Sequence, residues 1–180
     1  MDIVSYVALA ALIAAALYIA IPALSGSPWW PAPKREVIKL LRMAELRKDE
    51  KLYDLGCGDG RALIAAAREF GARGVGVEID PLKAAIARFF VKSAGLSDRI
   101  EIIRASVMDV PLHDADVVFL YLSHQLIDRM KEKFLTELKP EARIASYGFM
   151  VRGLPLYKTA DGLKGFVYKM SLGRNLDRYT

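Results

Sequence analysis

Cysteine is all but absent. The single thiol in 180 residues, Cys57, excludes an intramolecular disulfide and fits a reducing compartment. Histidine is nearly as scarce: His113 and His124 give no zinc-type spacing with Cys57, so no metal is expected. Basic residues are missing from the first 33 positions, where Asp2 is the only charge. All 26 Lys and Arg fall in the remainder, which carries +6 where the whole chain carries +5. A balance of that size suits an anionic membrane, a nucleic acid or neither. No internal repeat is visible, and the length allows one core rather than two.

What the N-terminus has instead of charge is an apolar run. "IVSYVALAALIAAALYIAIPAL", Ile3 to Leu24, holds 22 residues without a charge. As a helix it would extend about 33 Å, against a hydrocarbon core of roughly 30 Å. A secretory signal peptide would need a positive start and a shorter core, so the run is read as one transmembrane helix. Lys34, Arg35, Lys39 and Arg42 follow it, and the positive-inside rule then holds the rest of the chain in the cytoplasm. The expected organisation is an anchor and linker over 1–27, a domain over 28–180, and a single pass through the cell membrane. The bilayer is a partner through the N-terminal helix.

Beyond the linker, Lys34 to Lys48 shows a helical spacing of apolar residues with a basic face. Strand-like and helix-like runs then alternate: "KLYDL", a helix across 62–70, "GVGVEI", a helix across 82–94, "IEIIRA", "ADVVFLYL", a helix across 125–138, and "ARIASYG". Five apolar strands with intervening helices predict an α/β fold, Rossmann-like, with a mostly parallel sheet and right-handed crossovers. "YKTADGLKGFVYKMSL" predicts a C-terminal antiparallel hairpin turning at Asp161-Gly162.

"YDLGCGDGR", Tyr53 to Arg61, stands at the end of the first strand. Ligands of parallel sheets sit outside the carboxyl ends of the strands. Gly56 and Gly58 carry no side chain, so a flat, extended ligand can lie on bare backbone; Asp59 or Gly60 begins the next helix. Arg61 occupies the position where a dinucleotide fingerprint needs its third glycine, and Asp54 would repel a pyrophosphate. The pattern D-x-G-x-G-x-G suits S-adenosyl-L-methionine, whose amino group meets the acid and which carries no phosphate. Glu78, about 20 residues on, is placed to accept hydrogen bonds from both ribose hydroxyls, and Ile79 to pack on adenine.

With "PWWPAPKREVIKLLRMAEL", "YDLGCGDGRALIAAA", "GARGVGVEIDP", "ADVVFLYL" and "ELKPEARIAS", the chain resembles the class I S-adenosylmethionine methyltransferases. More narrowly it is similar to the membrane-anchored protein-lysine methyltransferases related to the mitochondrial enzymes for the ATP synthase c-subunit and the adenine nucleotide translocase. The resemblance implies a class I methyltransferase fold, S-adenosyl-L-methionine as cofactor and a protein lysine as acceptor. The family pattern reads nearer to P-Y-V-P-T-P where this chain has Trp29, Trp30 and Ala32. Ser106, followed by Val107, stands where the class holds adenine with an acid, so a weaker adenine contact is expected. Ser123, His124 and Gln125 replace an L-P-E tendency at the substrate entrance.

Methyl transfer from a sulfonium is an in-line displacement, so the protein chiefly aligns the acceptor about 3 Å from the methyl carbon and excludes water. The expected catalytic residues are Tyr121, able to hydrogen-bond an incoming amine, and Trp30, which with Trp29 would form an aromatic lining. An interfacial membrane belt is the other reading of the tryptophans. The expected partner is a membrane-associated protein with an accessible lysine. Nucleic acid is not expected, because no N-P-P-[YF] or D-P-P-Y follows "VVFLYL". The alternatives are a small molecule, lipid or RNA as acceptor, or a non-catalytic membrane-tethered nucleoside-binding protein.

Overall fold

The structure, a computed structural model, describes residues 2–10, 12–13, 31–159, 162 and 164–173. Contacts divide the chain into two units, Met1–Pro31 and Ala32–Thr180. In the first, residues 3–10 and 12–13 are helical, and apolar side chains such as Ile3, Val4, Val7 and Leu12 are exposed. Among the described residues no helix is long and apolar enough to cross a membrane. The expected transmembrane helix therefore has no counterpart among them; most of the run from Ile3 to Leu24, with Trp29 and Trp30, lies outside the described residues.

The second unit runs α1 (Lys34–Met43), β1 (Lys51–Leu55), α2 (Arg61–Phe70), β2 (Arg73–Glu78), α3 (Pro81–Ser93), β3 (Ile100–Arg104), β4 (Val117–Leu120), α4 (His124–Glu137), β5 (Arg143–Tyr147), β6 (Leu156–Thr159), β7 (Gly165–Lys169) and the short α5 (Met170–Gly173). The sheet order is β3-β2-β1-β4-β5-β7-β6. β1 to β5 pair in parallel, while β7 runs antiparallel to β5 and to β6. The expected parallel core and C-terminal hairpin are both present, with Asp161 outside the described residues. The strand order reverses beside β1, where β2 and β4 are its two neighbours, and that is the switch point at which such sheets bind ligands.

Strand alternation sorts the core into two layers. Leu52, Val117, Phe119 and Ala145 pack beneath α1, α2 and α3, and Leu55, Val118, Leu120 and Ile144 pack on α4. In α1 the spacing Val37, Leu40, Leu41 puts three buried side chains on one face, and in α4 Ile127, Met130 and Phe134 do the same. Each fully buried leucine or phenylalanine of this kind contributes about 2 kcal/mol. Gly74 and Gly76 in β2 let α2 lie close: a Cβ at Gly76 would stand 2.7 Å from Leu63 Cδ1.

α1 is shorter than its expected extent to Lys48. Leu46 N–H donates to Leu41 O and Glu45 N–H to Arg42 O, the Schellman pattern, with Glu45 at φ 55° in the left-handed position. Asp49, at φ 61°, then turns the chain into β1.

Candidate functional site

The carboxyl ends of β1 and β2 face one corner of the domain, and the glycine loop crosses it. Gly56 and Gly58 sit at φ 85° and 56°, a region that glycine enters without strain. Gly56 and Cys57 N–H both donate to Val77 O, at 2.8 and 3.0 Å, which ties the loop to β2. Gly60, at φ 77°, caps α2 without a side-chain hydrogen bond. The helix therefore begins after Gly60 and not at Asp59, whose carboxylate is engaged by the Arg61 guanidinium through Nε at 3.0 Å and Nη2 at 2.5 Å. Cys57 is buried, and burial followed by the charges of Asp54 and Glu78 pushes its thiol far up, so it is inert.

Glu78 is the hinge of the corner. Its Oε2 accepts from Gly58 N–H and its Oε1 from Asp80 N–H, both at 3.0 Å. Each oxygen keeps a second lone pair, so the carboxylate is aligned by the backbone and still able to receive two hydroxyl donors. Asp80 caps α3 by accepting from Leu82 N–H at 2.8 Å and Lys83 N–H at 3.1 Å. Ile79 between them is 67% exposed and free to lie against a ring.

Asp54 is buried at the tip of β1, and no donor among the described residues meets its carboxylate. Burial, then the negative charges of Glu78 and Asp59, lift its pKa to about 8. A buried acid beside other acids is costly unless a cation joins it. Asp54, Asp59 and Glu78 against Arg61 alone make the corner net negative. This donor set fits the sulfonium and ammonium of S-adenosyl-L-methionine and is wrong for a pyrophosphate. Bound there, the sulfonium would supply an electrophilic methyl group; Glu78 would hold the ribose and Asp54 would face the amino end.

Ser106 and Val107 follow β3 on the far side of Glu78. Ala105 N–H donates to Glu78 O at 3.2 Å, and Ser106 Oγ accepts from Met108 N–H at 3.2 Å. Ser106 is thus spent in part on its own turn, while Val107 packs partly on the core. Tyr121 follows β4 and meets Tyr147, at the end of β5, edge to face at 5.0 Å and 76°. Phe149 lies 6.0 Å from the His124 ring at the start of α4, and Ser146 Oγ donates to Phe149 O at 2.6 Å, which fixes that loop. Tyr147 and Phe149 were not among the expected site residues. Their signal in the sequence is an aromatic pair around Gly148 at the last parallel strand end. Thus Asp54, Gly56, Gly58, Asp59, Glu78 and Ile79 gather at one corner, Ser106 and Val107 flank it, Tyr121 stands on the neighbouring strand end, and Trp30 lies outside the described residues.

Residues 54–158 match the family described as ANTKMT methyltransferase domain. A protein-lysine N-methyltransferase of Saccharolobus islandicus is 35% identical over 127 residues, covering 70% of this chain and 79% of that protein. The ATP synthase c-subunit lysine N-methyltransferase of Mus musculus is 30% identical over 149 residues, 82% of this chain but 60% of that protein. Among solved structures, an RNA methyltransferase of Salinibacter ruber in complex with S-adenosyl-L-homocysteine superposes with a TM-score of 0.73 at 36% identity, covering 77% of this chain and 91% of that one. The motif, the fold and these likenesses agree: the chain belongs to the ANTKMT methyltransferase-domain family and is an S-adenosyl-L-methionine-dependent methyltransferase.

Proposed function

We propose that the acceptor is a lysine side chain of a membrane-associated protein, and that the chain works as a single-pass protein with its catalytic domain on the cytoplasmic side. The observation that carries the acceptor is the aromatic corner of Tyr121 and Tyr147 on the strand ends next to the acidic pocket, in a chain similar to a protein-lysine N-methyltransferase over 79% of that protein's length. Lysine must lose its proton to attack. With an ordinary pKa near 10.4, holding the amine neutral at pH 7 costs about 4.6 kcal/mol, and an apolar wall lowers that cost by penalising the ammonium. The Tyr121 hydroxyl offers the neutral amine a hydrogen-bond partner. At the carboxyl edge only residues 56–60, 79–80 and 121–123 separate β1, β2 and β4 from the helices that follow them, so these connections build little cover over this edge. A macromolecule supplies the remainder of the recognition surface.

The membrane part rests on the uncharged run from Ile3 to Leu24 and the four bases that follow it. An anchor raises the effective concentration of membrane-protein acceptors.

A second reading is an RNA acceptor, favoured by the Salinibacter ruber likeness and by the charge of +5. Purified protein incubated with methyl-labelled S-adenosyl-L-methionine and membranes from its source cell separates the two. N-methyl-lysine in a protein band supports the proposal. Label confined to RNA refutes it.

A further inference from the structure

α3 is built inside out. Its core-facing positions are small, Ala84, Ala87 and Val91, whereas its solvent face carries Leu82, Ile86, Phe89 and Phe90, exposed by 52, 37, 65 and 43%. These four recur at helical spacing and form one stripe opposite the sheet. The Phe89 and Phe90 rings lie 5.8 Å apart, so the stripe is continuous. Exposed apolar surface on this scale marks a contact.

The charges say with what. α3 holds three bases and no acid. Helical geometry sets Lys83 on one flank of the stripe and Lys92 on the other, and the Arg88 guanidinium is pinned to Ile102 O at 2.9 Å. The helices α1, α2 and α3 share one face of the sheet, and together they carry nine Lys and Arg against Glu36 and Glu69; with Asp59, paired to Arg61, and the cap Asp80 counted in, the balance is +5. On the opposite face α4 carries three of each sign and is neutral. An apolar stripe flanked by lysines on a basic face matches an anionic bilayer, where rings enter the interface and lysine stems reach back to the headgroups.

We propose that α3 docks on an anionic membrane surface, laying Leu82, Ile86, Phe89 and Phe90 into the headgroup boundary. This goes beyond the membrane pass of the proposed function and is independent of it: the site lies on the catalytic domain, and it orients that domain on the bilayer. The N-cap of α3, Asp80, is two residues from Glu78, so docking brings the cofactor corner to the membrane.

The test uses the full chain. Cys57 is buried and inert, so a nitrobenzoxadiazole label on Phe89→Cys reports α3 alone, and one on Glu132→Cys in α4 is the control. The labelled protein is reconstituted in vesicles of phosphatidylcholine, with or without phosphatidylglycerol. It is then challenged with a lipid-borne nitroxide and with aqueous iodide. With phosphatidylglycerol, the label at position 89 is quenched by the nitroxide and shielded from iodide, and that at position 132 behaves oppositely. Each lysine near such a surface is worth about five-fold, so Lys83→Gln with Lys92→Gln weakens docking about 30-fold and returns position 89 to the control value. A label at position 89 open to iodide overturns the proposal, as does equal quenching without phosphatidylglycerol. Shielding from iodide without nitroxide quenching also overturns it, because a second copy or the chain's own N-terminal run then covers the face. Shielding that appears only on adding RNA does the same.

Discussion

Asp54 makes the cofactor site a proton-linked one. In the free protein its pKa is about 8, raised by burial and then by the charges of Glu78 and Asp59. At pH 7 about nine carboxyls in ten then carry a proton. A cation seated beside Asp54 favours the ionised form, so binding releases about 0.9 proton at pH 7 and about half a proton at pH 8. Affinity for S-adenosyl-L-methionine should accordingly rise by about 50-fold between pH 6 and pH 8 and level off above about pH 9. The stability of the free protein has the opposite sign. The folded pKa is raised above the ordinary value of 3.8, so this contribution is full below 3.8 and is lost as pH rises through about 8. Asp54→Asn removes both effects, giving a protein that is more stable than the parent at pH 8 and binds the cofactor more weakly.

Calorimetry in phosphate and in Tris, whose ionisation heats differ, measures the released proton directly. The α-amine of the ligand titrates alike with both proteins and cancels in the comparison of parent with Asp54→Asn. Absence of proton release from Asp54 at pH 7, or an Asn variant that keeps the parent's pH slope, refutes the placement of this acid against the cationic end of the cofactor.

Glu78→Ala removes the carboxylate that holds Gly58 and Asp80, and the Kd for S-adenosyl-L-methionine should rise by at least about 100-fold in calorimetry; an unchanged Kd excludes the ribose assignment. Tyr121→Phe keeps the ring on Tyr147 but deletes the hydroxyl, so kcat for a lysine acceptor should fall about ten-fold while cofactor affinity stays constant. A parallel loss of cofactor binding would move Tyr121 out of the acceptor role. Gly76→Ala would force a Cβ to within 2.7 Å of both Ile102 Cδ1 and Leu63 Cδ1, an overpacking that lowers stability by about 2 kcal/mol in urea unfolding. Phe134→Ala empties a fully buried site beneath β4 and β5 and should cost about 4 kcal/mol by the same assay.

The parallel sheet was legible because its strands are short apolar runs that alternate with helical spacing, the central ones buried on both faces and the edge strand β3 with Glu101 and Arg104 exposed. "VVFL" in β4 is buried at every position, as a central strand requires. The glycine loop was legible because only glycine readily tolerates the dihedral angles at positions 56 and 58. Element ends were less so. Gly95 announces the Schellman end of α3, whereas the same motif after α1 places Glu45 in the left-handed position, which no local rule signals. The Asp59–Arg61 pairing depends on side-chain rotamers, and Tyr147 reaches Tyr121 from the neighbouring strand, so neither follows from spacing along the chain. The inverted character of α3 was also hidden: a run such as "AAIARFFVK" reads as a core helix until the sheet shows which side is in.

The departures from good local chemistry are themselves concentrated. α3 has a proline at its first turn and an aspartate cap, the pattern expected of a well-made helix start. α2, one strand away, starts from a left-handed glycine with no side-chain cap. Next to it stand two more left-handed glycines, a buried acid that no donor among the described residues meets, and a second buried acid spent on the backbone of a loop. The two buried acids are unfavourable for folding alone whereas the glycines are not, and all lie within the turn after β1 and the tip of β2. A chain with a 7-stranded sheet and two filled core layers can carry that local cost. What the cost maintains is a pre-aligned negative hollow with open backbone. A cation entering it takes the place of the proton that Asp54 carries at pH 7, so the hollow exchanges one positive charge for another and binding is coupled to proton release.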